Sequence, residues 1–279
     1  MTGPTSTFTT SDGVDLSFRD NGGAGTPLVM LHGWGQTQEM FRHQLPSLPK
    51  SRVITLDFRG HGRSGKPRHG YRIARLAMDV LELLDHLELP SVDALGWSMG
   101  ASVWWSFVDH FGTGRLRRLV VVDQPSVVAA LPWMSERERA ESGAIFDLTS
   151  LEKLIESLLG PEADQVLQTF ARGTYTGEIA PELWTFMIQE MRHTPAHAGA
   201  PLLLDHSVQD WRDVLPRIDI PSLVIGSEGS HVTPASQRLL GQQIPGARVH
   251  IFPAEVASSH FPFLQNPEAF NAVLADFLG

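Results

Sequence analysis

The residues best suited to chemistry lie at positions 96–100, where the sequence reads Gly-Trp-Ser-Met-Gly. An apolar run ends just before them and a helical pattern begins at Gly100, so Ser98 is expected on a sharp strand-to-helix turn. Side chains at Gly96 or Gly100 would collide with neighbouring backbone in such a turn. A serine held in this strained geometry is typical of a nucleophile.

His260 is the candidate base among the 12 histidines of the chain. It lies on a loop between the last strand pattern and the last helical pattern. From there its side chain can reach back over the carboxyl edge of a parallel sheet to Ser98. An imidazole in that position can accept the serine proton.

Four segments resemble the α/β-hydrolase superfamily, in the order in which that family has them and over nearly the full chain. They are LHGWG at 31–35, DFRGHGRS at 57–64, the turn at Ser98, and SHF at 259–261. The resemblance implies an α/β-hydrolase fold, with a mostly parallel central sheet, flanking helices and a helical cap insertion. It also implies an oxyanion hole formed by the backbone N–H groups of Trp34 and Met99.

The acid that should orient His260 is left open by the sequence. In the family it usually follows the strand at 222–225, but Ser230 stands where an aspartate is expected. Asp123, at the end of the preceding strand, is a position that some members use, and Glu228 is the alternative acid; a third possibility is that neither serves. Such an acid would hold the His260 tautomer that accepts the Ser98 proton.

The elements that must position these residues are indicated by apolar patterns. Strand and helix patterns alternate, as they do in a wound parallel sheet. The predicted strands are 14–18 (antiparallel, at an edge), 27–31, 52–56, 91–95, 117–122, 222–225 and 247–252. The predicted helices of the sheet layer are 71–87, 100–111 and 267–278, the last with Asn266 as its N-cap.

Between about 125 and 219 the strand pattern gives way to short amphipathic helices, expected to start near Ser135, Thr149, Pro161, Pro181 and Thr194. We therefore expect a core of residues 1–124 and 220–279 and a cap of residues 125–219. Aromatic residues near the turn and in the cap favour an apolar or aromatic small-molecule substrate. The candidate substrate-binding residues are His32, Trp97, Trp133, Trp184, Phe186 and Phe261.

Composition excludes several other classes of protein. The net charge of −9 comes from interspersed charges, so no nucleic-acid partner is expected. The absence of cysteine rules out disulfides and thiolate metal sites, and the histidine spacing predicts neither a metal nor an organic cofactor. The polar start of the chain lacks the pattern of a signal peptide, and no apolar run is long enough to span a bilayer, so we expect a cytoplasmic protein with no membrane partner.

The resemblance implies a serine hydrolase of small ester or lactone bonds, and the pairing of Asp123 with His260-Phe261-Pro262 is similar to lactone-cleaving zearalenone hydrolases. The same residues are also similar to cofactor-independent 2,4-dioxygenases of 3-hydroxy-4-oxoquinolines, in which a His260/Asp123 dyad would act as the base. A binding protein without catalysis is expected only if His260 has no acid partner. The sequence leaves the substrate and the oligomeric state open.

Overall fold

The central sheet has eight strands. A computed structural model describes residues 5–48 and 51–279 of the chain. The polar start of the chain, where no signal-peptide pattern was found, includes residues 1–4, which lie outside the described residues. The strand order is β1-β2-β4-β3-β5-β6-β7-β8, and all neighbours from β4 to β8 are parallel. The strands are β1 (Thr5–Thr9), β2 (Asp15–Asp20), β3 (Leu28–Leu31), β4 (Val53–Leu56), β5 (Val92–Trp97), β6 (Leu116–Val122), β7 (Ser222–Ser227) and β8 (Arg248–Phe252).

The predicted α/β fold is confirmed, and the correction at the strand level concerns the sheet edge. β2 is antiparallel, as expected, but it is not an edge strand, because β1 pairs with it on one side and β4 on the other. Polar threonine and serine make up four of the five residues of β1, and only Phe8 is buried. This segment therefore carries no apolar pattern that could have been recognised.

Two hydrophobic cores lie on the two faces of the sheet. In β3, Val29 and Leu31 belong to one core and Leu28 and Met30 to the other, as the alternation of side chains along a strand requires. Burial on both faces explains why these strands are continuous apolar runs. The flanking helices are α1 (Ile73–His86), α2 (Met99–Phe111), α8 (Pro234–Gln243), the short α9 (Pro262–Gln265) and α10 (Pro267–Leu278).

The chain between β6 and β7 is helical. This segment has its own capped helices, such as the one that begins after Ser135. In the flanking layer, as expected, Asn266 caps α10 by accepting a hydrogen bond from the Ala269 N–H. Among the described residues, no helix combines the length and apolarity needed to cross a bilayer. The helices of this segment are α3 (Glu136–Ser142), α4 (Leu148–Leu159), α5 (Ala163–Thr174), α6 (Pro181–Met191) and α7 (Ala196–Ser207).

The loop after β4 is fixed by a buried ion pair. Arg59 and Asp79 are both fully buried, and the guanidinium donates two hydrogen bonds of 2.6 Å to the Asp79 carboxylate. Asp12 accepts from the other edge of Arg59 at 2.8 Å. Because Arg59 pairs with Asp79 of α1 and with Asp12, the 57–64 loop links the sheet to α1 and to the turn that contains Asp12.

We expect Asp79→Ala to lower the free energy of unfolding by about 3–5 kcal/mol, because it leaves the buried Arg59 cation without its main partner. Urea denaturation followed by circular dichroism would measure the loss. The matched control is Asp85→Ala in the same helix, whose exposed pair with Arg115 should contribute less than about 1 kcal/mol. Equal losses in the two variants would contradict this account of Arg59.

Candidate active site

Ser98 lies between the end of β5 and the first residue of α2. Its backbone angles are φ 53° and ψ −127°, a conformation that residues other than glycine rarely adopt. A Cβ at Gly96 would collide with the Ala101 backbone, and one at Gly100 would collide with Leu31 of β3. The turn is therefore possible only because both flanking residues are glycines.

His260 contacts Asp123, and Glu228 lies elsewhere. The His260 Nδ1 and Asp123 Oδ2 atoms are 2.7 Å apart, and both side chains are buried. The Glu228 side chain is exposed and accepts a hydrogen bond from the Ala254 N–H at 3.1 Å. Ser230 donates a short hydrogen bond to the same Oδ2 of Asp123, so it supports the carboxylate from the position where the family usually has its acid.

Burial favours the uncharged forms of this pair. It lowers the pKa of the His260 imidazole, because the imidazolium would lose its hydration. It also raises the pKa of Asp123, against the opposing effect of the Ser230 hydrogen bond. With Nδ1 directed at the carboxyl group, the Nε2 atom of His260 is the one left to accept a proton.

Ser98 and His260 line the same cavity, which has a volume of about 620 Å³. Trp97 fixes the His260 backbone by donating a hydrogen bond from Nε1 to the His260 carbonyl at 2.9 Å. The Ser98 hydroxyl makes no hydrogen bond within residues 5–48 and 51–279. The hydroxyl is thus free to face a ligand.

The two backbone amides expected to form an oxyanion hole lie beside the turn. Met99 is the first residue of α2, so its N–H has no acceptor within the helix. Trp34 follows Gly33, at which a Cβ would lie 3.1 Å from the Ser98 Cβ. Neither amide donates to another group in the part of the chain that the structure describes.

Of the six candidate substrate-binding residues, Trp97 and Phe261 line the cavity and the other four do not. His32 is fully buried, with Nδ1 2.8 Å from the Gly33 carbonyl oxygen and Nε2 accepting from the Phe58 N–H. It therefore supports the loop that carries Trp34. Burial lowers its pKa to about 4, so the ring is neutral.

The three aromatic residues of the cap segment that the sequence predicted to bind substrate also lie outside the cavity lining. Trp133 is 70% exposed on a turn before α3. Trp184 packs against the hydrophobic core from α6, and the Phe186 ring lies under the Arg42 guanidinium, 3.8 Å from its carbon to the ring centre. Amphipathic helices present apolar residues to core and cavity alike, so their sequence could not separate the two.

Several polar residues that the sequence gave no reason to single out do line the cavity. Gln36 lies two residues after Trp34, and His206 lies in α7. The His231 ring packs against His260 at an angle of 60°, with 4.6 Å between ring centres. His231 directly follows Ser230, which was the one available signal. No three His, Cys, Asp or Glu side chains of the described ranges converge as metal ligands would.

Comparisons with known proteins identify the family. The model of the alpha/beta hydrolase fold family matches residues 26–267, so the chain belongs to that family. A non-heme chloroperoxidase of Kitasatospora aureofaciens is 29% identical, over 97% of this chain and 98% of the relative. A 3-oxoadipate enol-lactonase of Acinetobacter baylyi is 28% identical, over 94% and 92%. The structure of a hydrolase from Pseudomonas aeruginosa PA01 superimposes with a TM-score of 0.83 at 29% identity, covering 99% of both chains.

The strain at Ser98 predicts an unusual stability difference. We expect Ser98→Gly to be more stable than Ser98→Ala by about 1 kcal/mol, because glycine adopts a positive φ without steric cost. Thermal unfolding of the two variants measures this difference. An alanine variant as stable as the glycine variant would mean that the turn stores no strain.

Proposed function

We propose that this chain is a serine hydrolase that cleaves a small ester or lactone through an acyl-enzyme on Ser98. The observation that carries the proposal is the arrangement of Ser98 and His260 in one cavity, with His260 held by the buried carboxylate of Asp123. Family membership and relatives named as hydrolase and enol-lactonase support an enzyme acting on ester or lactone bonds.

In the proposed mechanism, the Ser98 oxygen forms a bond to the substrate carbonyl carbon as its proton passes to Nε2 of His260. The N–H groups of Trp34 and Met99 stabilise the resulting oxyanion. His260 then returns the proton to the departing alkoxide, and the acyl group stays on Ser98. A water molecule then attacks the acyl carbon as its proton passes to His260. The bond from the acyl carbon to the Ser98 oxygen breaks, His260 returns the proton to Ser98, and the acid is released.

Asp123 is the acid of this proposal, and Glu228 is not. The carboxylate of Asp123 stabilises the imidazolium that forms when His260 takes the proton. The hydrogen bond from Ser230 gives that carboxylate a second fixed partner, which explains how serine can stand at the usual acid position. The alternative of a non-catalytic binding protein required a histidine without an acid, and the 2.7 Å contact removes that condition.

The oxygenase hypothesis gains no separate support. A His260/Asp123 dyad could act as the base in either reaction, whereas a dyad mechanism does not need the strained turn at Ser98. We also propose that α3 to α7, within residues 125–219, form a cap over the sheet, since α4 and α5 contribute side chains such as Leu154 and Phe170 to the same cavity as Ser98.

Ester hydrolysis by three variants tests the proposal. With p-nitrophenyl acetate and butyrate, we expect Ser98→Ala to lower kcat by at least about 10⁴-fold and Asp123→Asn by about 10³–10⁴-fold, since each removes a part of the triad. Glu228→Gln, the matched acidic control, should change kcat by less than about twofold. Wild-type activity of Asp123→Asn would contradict the acid assignment.

Oxygen uptake with a 3-hydroxy-4-quinolone should be followed in parallel. Consumption of oxygen that persists in Ser98→Ala would assign the protein to the dyad oxygenases instead.

The pH dependence of kcat/KM provides an independent test. His260 must be neutral to accept the Ser98 proton, so activity falls as pH drops through its pKa. Because burial lowers that pKa from its ordinary value of 6.5, the midpoint of the acid limb should lie below pH 6.5. A profile from pH 4 to 9 with p-nitrophenyl acetate measures it. A midpoint at or above 6.5 would contradict burial as the dominant effect and would mean that the Asp123 carboxylate, 2.7 Å away, outweighs it.

A further inference from the structure

Among residues 5–48 and 51–279, three side chains of the cavity wall have a buried polar atom without a hydrogen-bond partner: Gln36, His206 and His231. His231 packs against His260, so Gln36 and His206 are the two that the proposed mechanism leaves unexplained. Gln36 is 3% exposed and His206 is 4% exposed. The Gln36 Oε1 and His206 Nδ1 atoms are inaccessible and have no hydrogen bond within the described ranges. The Nε2 atom of each residue also has no hydrogen bond there, and it is the polar atom that stays accessible. Both residues line the cavity that contains Ser98.

Two other buried polar side chains of the same wall are satisfied by the protein. Gln124 donates from Nε2 to the Pro125 carbonyl at 3.1 Å, and Thr174 donates from Oγ1 to the Ala171 carbonyl at 2.8 Å. Burying a polar group without a partner costs folding free energy, so such groups are uncommon and call for an explanation. A ligand in the cavity that hydrogen-bonds to the Nε2 atoms of Gln36 and His206 would give each side chain a partner.

The chemistry of the two residues narrows the kind of group that they can bind. Burial lowers the pKa of His206 to about 3, so its ring is neutral at pH 7, with one N–H donor and one acceptor nitrogen. The Gln36 amide is neutral as well. The charged lining residues, Lys153 in α4 and Glu162 before α5, are exposed. An ionised ligand group next to His206 and Gln36 would therefore lose its hydration without gaining a counter-charge.

We propose that Gln36 and His206 bind a neutral oxygen of the substrate, a hydroxyl or ketone group that lies apart from the ester or lactone bond cleaved at Ser98. This inference rests on the proposed function and specifies its substrate class: a largely apolar, ring-sized ester or lactone with at least one uncharged hydroxyl or keto group. The cavity of about 620 Å³ is within the range of sites for drug-sized ligands, and its walls include Trp97, Val128 and Phe146.

Binding of three ring compounds of the same size tests the proposal without any reaction. The probes are 5-indanol, indane and indane-5-carboxylate, and titration calorimetry on the wild-type protein at pH 7 measures their dissociation constants. We expect 5-indanol to bind about tenfold more tightly than indane, because it alone pairs with the unpartnered groups. The carboxylate should bind more weakly than 5-indanol.

The variants His206→Leu and Gln36→Leu remove one polar side chain each at nearly constant volume. At least one of them should reduce the preference for 5-indanol over indane to below about threefold. His193→Leu is the matched control, because His193 is an exposed histidine outside the cavity lining, and it should keep the full preference. Replacing an unpartnered buried group by leucine should leave Tm at or above that of the wild type, which shows that each variant is folded.

The proposal is wrong if 5-indanol and indane bind equally to the wild type, if none of the three binds at 1 mM, or if both leucine variants keep the preference. Ester hydrolysis measured on the same samples separates this result from the proposed reaction. A preference for 5-indanol without ester hydrolysis would overturn the reaction and support the site, whereas hydrolysis without the preference would do the reverse.

Discussion

The close approach of α2 to the sheet at Ser98 is the constraint on which the rest of the site depends. Glycine at 96 and 100 lets the helix begin against β3 and β5, where any side chain would strike backbone. Ser98, between the two glycines, has a positive φ and lines the cavity. The contact of α2 with the sheet also places the first N–H of α2 next to the serine, so one packing contact positions both the proposed nucleophile and one oxyanion donor.

The ends of β6 and β7 lie side by side, which explains how an acid at the end of either strand could reach the same histidine. These strands are parallel and adjacent, so their carboxyl ends lie side by side at one edge of the sheet. A carboxylate at the end of β6 can therefore reach the same histidine as one that follows β7. In this chain Asp123 holds that place, and Ser230 supplies a hydroxyl in place of the acid.

Burial gives the cavity its chemical character. It lowers the pKa of His206, His231 and His260, so the cavity contains uncharged imidazoles within largely apolar walls. In the proposed mechanism a neutral His260 accepts the proton, and the Asp123 carboxylate, 2.7 Å away, stabilises the imidazolium that forms. The same low polarity makes the unpartnered groups of Gln36 and His206 effective in selecting a neutral ligand.

The sequence by itself determined the wound sheet and the turn at Ser98, because parallel strands buried on both faces and a glycine-flanked turn each require a local pattern of residue types. It missed β1, whose polar residues are placed by pairing with β2. Only the tertiary structure shows that Asp123 contacts His260 and that Glu228 does not, and which aromatic residues line the cavity. Those outcomes depend on distances between side chains from separate elements, and the period of an amphipathic segment says which face is buried but not what it is buried against.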